Sequence, residues 1–219
     1  FGLRRAAIGV LRLLIELKVD LDLRRCIEAA VAAQPVKSAT AADDVYQYVL
    51  ERLRSYYLEG GAVGPTGFTT TGEQLDAVLA SEPRSPLDLD ARLRALAGFL
   101  AQPAAAALTA ANKRIANILR KSEGGAGGRI DPALLREPAE QALAAALQRV
   151  RTPVEQALAQ RDYAAALATL AQLRAEVDAF FDAVMVNDPD AALRANRLAL
   201  LGDLAGLFGR IADLSRLPG

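Results

Sequence analysis

Between Tyr163 and Leu214 the sequence carries two long amphipathic runs separated by one strongly marked turn. No other feature constrains the fold as much. Tyr163, Leu167, Leu170, Val177, Phe181 and Val184 recur three, four or seven residues apart, which puts them on one face of a helix capped by Asp162. Asn187-Asp188-Pro189-Asp190 ends that run and begins the next. The pattern predicts Asp188 as N-cap and Pro189 as the first helical residue, with Asp190 where the helix dipole favours a negative charge. Leu193, Leu200, Leu204, Leu207, Ile211 and Leu214 then share one stripe, and Arg197 falls on it. A guanidinium on an apolar stripe needs a carboxylate, a carbonyl or a phosphate, because stranding it is costly. A protein acceptor for Arg197 is therefore expected.

The rest of the composition agrees with an all-α chain. Apolar residues make up 52% of the 219, and aromatic residues only 5%. Alanine and leucine, both strong helix formers, dominate. No apolar run approaches the roughly 18 uncharged residues of a membrane span. The chain opens on Phe1 inside a helical pattern, as a piece of a longer polypeptide would. One cysteine and no histidine remove the internal disulfide, the Cys/His zinc site and the histidine-dependent triad, and fit a cytoplasmic location. Cys26, beside Ile27, reads as helix packing in preference to a reactive thiol. Twenty-six basic residues balance 26 acidic ones. Nucleic acid would then be met by a local patch, if at all.

Along the chain, Leu3, Ala7, Val10, Leu14 and Leu17 form the expected inner face of a first helix, and a second runs to about Ala33. Asp43 is placed as the cap of a third, with Val45, Val49, Leu53, Tyr56 and Tyr57 inward or, for the tyrosines, available for base stacking. Gly60–Gly72 and Ser122–Gly128 are expected to be mobile connectors. The first has neither the Gly-Lys-Ser/Thr nor the preceding strand of a phosphate-binding loop. Thr71 and Gln74 form a capping box, and Leu89, Leu93, Leu96 and Leu100 an inner stripe. Thr152-Pro153-Val154-Glu155 is expected to interrupt the helix that carries Leu143, Leu147 and Val150.

The helix from Ala104 to Lys121 differs in charge from all of these. Leu108, Ile115, Ile118 and Leu119 form its apolar face, and Lys113, Arg114, Asn117, Arg120 and Lys121 lie opposite. It contains no acidic residue. Such a face is either a solvated surface that complements the helix dipole or a track of phosphate contacts.

Asp190-Ala-Ala-Leu193-Arg194-Ala-Asn196-Arg197 resembles the signature of the helical anticodon-binding domain named after its Asp-Ala-Leu-Arg motif. FFDAVMV before it, RIADLS after it, and the blocks GLRRAAIGVLRLLIE, DVYQYVLERLRSYYLEGG and AANKRIANILRKS are similar to the C-terminal part of bacterial glycyl-tRNA synthetase beta subunits. The resemblance implies a helical segment over 1–102, ending a phosphohydrolase-like region, and an anticodon-binding helix bundle over 103–219. It also implies a tRNA for glycine as partner and an assembly of two alpha and two beta subunits. The alpha subunit would use ATP to activate glycine, so no catalytic residue, metal or cofactor is expected in this segment. Lys113, Arg114, Arg120 and Lys121 are then candidates for the RNA backbone, and Asn117, Arg194 and Asn196 for base edges. Arg194 serves equally well in a salt bridge to Asp190, and Phe180 and Phe181 in a core or in stacking. The competing reading is a helical protein–protein scaffold without RNA.

Overall fold

The computed structural model describes residues 2–35, 38–58, 68–122 and 128–218. Most of the two glycine-rich connectors, 60–67 and 123–127, therefore lies outside the described residues. Every regular element among the described residues is helical: ten α-helices and two short 3-10 turns. The chain forms two compact units, Phe1–Ala97 and Gly98–Gly219.

In the first unit α3 (Ala41–Leu58) packs on α1 (Gly2–Glu16), α2 (Leu23–Ala32) and α4 (Gly72–Leu79). The buried face of α1 is Leu11, Leu14 and Ile15; Val10 and Leu17, expected inside, are 50% and 67% exposed. The α1 sequence holds more apolar residues than one face can bury, so the approach of α3 chooses among them. Asp22 caps α2 by accepting from Arg25 N. Cys26 is exposed there, not packed. In α3 the core takes Leu53, Tyr56 and Tyr57 but leaves Val45 exposed, and Asp43 sits in the first turn instead of at the cap. Tyr57 donates to Asp90 Oδ1 at 2.9 Å, and burial followed by the Asp90 charge pushes its pKa far up. The paired tyrosines are thus core, not a stacking surface. The Thr71–Gln74 capping box is complete. On α5 (Pro86–Leu100) Leu89, Leu93 and Leu96 of the expected stripe are buried; its last residues belong to the second unit, where Phe99 is buried and Leu100 only half-buried.

In the second unit α10 (Ala191–Gly209) is the central element, packed against α6 (Ala105–Lys121), α7 (Pro138–Ala159) and α8 (Tyr163–Ala171). Its whole expected stripe is buried, Leu193 being the most accessible member at 7%. Three sequence expectations need correction here. Proline 153 lies inside an unbroken α7; buried Val150 and Val154 on either side of it hold the helix through the lost hydrogen bond. The penultimate helix is two helices, α8 and α9 (Arg174–Ala183), broken at Gln172–Leu173. No proline or glycine marks that break, but Thr169 Oγ1 donates back to the Ala165 carbonyl, a bond of the type that bends helices. The cap of α10 is Asp190, not Asp188: its Oδ1 accepts from Ala192 N and Leu193 N. No single helix among the described residues is long and apolar enough to cross a membrane.

Candidate functional site

The turn before α10 is fixed by Arg197, whose residue is 4% exposed. Its Nε donates to Glu140 Oε1 at 2.5 Å, and its Nη1 to Asp188 Oδ2 at 2.7 Å and the Met185 carbonyl at 2.8 Å. Glu140 is fully buried at the start of α7, where its other oxygen accepts from Glu137 N. Nothing in the sequence reading singled out Glu140. The signal was present, since Glu140 precedes Leu143, Leu147 and Val150 at helical spacing and mirrors Arg197 on its own stripe. Burial alone would lower the Arg197 pKa; the hydrogen bonds to Glu140 and Asp188 outweigh it and raise it. Asp188 freed from capping α10 accepts from Asp190 N and from Arg197, which together hold its carboxyl below the usual range. A carboxyl with a depressed folded pKa stabilises fully above its unfolded pKa and less as pH falls through the folded value. Asp188→Asn is therefore expected to lower the melting temperature near neutral pH, and the gap to the parent chain to shrink below about pH 4. Thermal melts of both chains across that range check this.

The same turn forms one wall of a cleft of about 700 Å³ between α6 and α10. Arg114, Lys121 and Arg194 bring three cations to it, Asn117, Asn187 and Ser122 add polar groups, and Ile118 and Leu198 line it with apolar surface. No carboxylate is among these lining residues. Arg194 does not pair with Asp190, whose carboxylate is occupied in capping; its Nη1 donates to the Asp188 carbonyl at 2.6 Å. Arg114 lies over Phe181, its guanidinium carbon 4.3 Å from the ring centroid. A larger hollow of about 870 Å³ lies between the 128–132 segment, α7 and α10, but there Asp131 and Asp203 stand among the arginines. Both oxygens of Asp203 hold Arg151, at 2.8 and 2.5 Å. The smaller cleft is the one suited to an anion.

Residues 108–213, which span this cleft, match the DALR anticodon binding domain, and residues 1–64 match the glycyl-tRNA synthetase beta subunit. Over 99% of its length the chain is 48% identical to the glycine--tRNA ligase beta subunit of Leptothrix cholodnii. The same share is 47% identical to that of Pseudomonas aeruginosa strain LESB58 and 46% to that of Xanthomonas campestris pv. campestris strain 8004. The chain belongs to the glycyl-tRNA synthetase beta subunit family. It spans 29% of the Leptothrix relative and 31% of each of the other two.

Within this family member the sequence-expected residues divide into three sets. Arg114, Asn117, Lys121 and Arg194 meet at the cleft. Lys113, half-buried, and Arg120, exposed, sit on α6 outside it, Arg120 donating to Asn117 Oδ1 at 2.8 Å. Asn196 is a correction: it is buried, and its amide is spent on the Asp131 backbone, accepting from Asp131 N at 2.7 Å and donating to the Asp131 carbonyl at 3.1 Å. No base edge can reach it there. Ile118 and Leu119, expected in the core, are only half-buried, and Ala111 and Asn112 take their place. Phe180 is buried and Phe181 half-buried, the reverse of the expected face. Asn187, Ser122 and Leu198 were not foreseen, because only the approach of α10 to α6 brings them together.

Proposed function

We propose that the chain is the tRNA-binding, anticodon-reading part of a glycine–tRNA ligase beta subunit, and that the α6–α10 cleft meets the anticodon arm. The convergence of Arg114, Lys121 and Arg194 without a carboxylate among the lining residues carries this reading. Phosphates supply affinity at Lys121 and Arg194, and Asn117 and Asn187 offer amide groups to unstacked bases. The activity of the whole enzyme is ATP-dependent joining of glycine to its tRNA in the cytoplasm. An alpha subunit performs the activation in an assembly of two alpha and two beta chains. No catalytic group or cofactor is assigned to these 219 residues.

Titration of the chain with the tRNA for glycine at several salt concentrations tests this. The logarithm of affinity should fall linearly with that of salt, by about 0.7–0.9 per phosphate contacted. Replacement of the anticodon should weaken binding further. Absence of any salt-dependent affinity would favour the scaffold reading. That alternative has one observation of its own: Val10 and Leu13 on α1, with Leu17 just past its end, are apolar and 50–67% exposed.

A further inference from the structure

We infer, resting on the cleft as an RNA site, that Arg114 is the platform on which one unpaired RNA base stacks, and is not a phosphate contact. Phe180 is wholly buried, and Phe181 packs edge-on against it with centroids 5.6 Å apart and planes at 82°. Phe181 in turn carries the Arg114 guanidinium, 4.3 Å above its ring. A core aromatic thus seats a surface aromatic, which seats the arginine. The guanidinium rests against this ring, while the exposed side chain lines the cleft. An arginine held in this way receives a second planar group with little further loss of rotamer freedom. Guanidinium planes stack on unpaired bases in RNA recognition generally.

The neighbours divide the work accordingly. Lys121 lies two turns along the same helix and supplies a compact point charge suited to a phosphate, which a planar stacked group is not. Asn117 is one turn from Arg114, about 4.5 Å along the axis. Its Oδ1 is taken by Arg120 Nη2, so its Nδ2 is the group left to donate to an acceptor on the base edge.

The test pairs protein variants with RNA variants. The probes are a hairpin bearing a tRNA anticodon loop, and a series in which one loop base at a time is removed while the sugar-phosphate chain is kept. For the parent chain, loss of one particular base should weaken binding roughly fivefold or more. Arg114→Lys keeps the charge and loses the plane. It should bind the intact hairpin more weakly by a similar factor, with an unchanged salt slope, and show no further loss on the hairpin lacking that base. Phe181→Leu, checked for folding by circular dichroism, should behave in the same way because it removes the seat. If Arg114→Lys binds the intact hairpin as tightly as the parent, or loses equally on every hairpin, the stacking role is overturned while the cleft remains an RNA site. If the parent chain shows no salt-dependent binding, the RNA reading of the cleft falls, and stacking with it.

Discussion

Arg197→Ala should lower the stability of the second unit by about 3–5 kcal/mol, the usual cost of removing one partner of a buried ion pair. Most of that cost comes from what is left behind. Glu140 has no exposed surface, and without Arg197 its carboxylate keeps only the Glu137 N–H. Domains are stable by only about 5–15 kcal/mol, so a loss of this size should be plain in a urea or thermal melt. Arg197→Lys should recover part of it: the ammonium restores a charge but cannot reach Glu140, Asp188 and the Met185 carbonyl in the fork geometry of a guanidinium. The double variant Arg197→Met with Glu140→Gln should be less damaged than the sum of the singles, because no buried charge is then stranded. An Arg197→Ala chain that melts like the parent yet no longer binds tRNA would make Arg197 a recognition residue.

That pair also shows how far the sequence could be read. The α10 stripe was legible because leucines at three- and four-residue spacing are buried whichever neighbour covers them. Arg197 announced a buried acceptor by its place on that stripe. Its partner lies 57 residues earlier, and no local pattern connects the two. Asn196, one position away, appeared free to read bases because nothing nearby forecasts that the 131 backbone folds over it. Where local rules compete, packing decides. Pro153 should break α7 and does not, and Leu173 follows a break that no glycine or proline announces. In α1 the apolar residues outnumber what one face can hold, so the exposed Val10 and Leu17 were indistinguishable in sequence from the buried Leu11 and Leu14.

The basic face of α6 was legible for the opposite reason, since its charge is a local property. It leads to the second large effect: replacing both Arg120 and Lys121 by glutamine should weaken tRNA binding at low salt and flatten the slope of log affinity against log salt by roughly 1–2 units. Among the described residues neither is held in a salt bridge. Folding should hardly change, because both are exposed and such charges contribute less than about 1 kcal/mol each. Arg92 and Arg94 would be poor controls. Arg92 is largely buried and donates to Asp88, while Arg94 donates to Asp90 and lies over Phe68. Arg5 and Arg25 are better, being exposed; the Arg25 side chain is 85% accessible and, among the described residues, meets only Asp22, at 3.8 Å. The single variants separate the two positions further. Lys121 lines the cleft and Arg120 lies outside it, so Lys121→Gln should account for most of the lost affinity. Equal losses in the Arg5/Arg25 control would reduce the interaction to diffuse attraction, and an unaltered slope in the double variant would leave α6 a solvated surface.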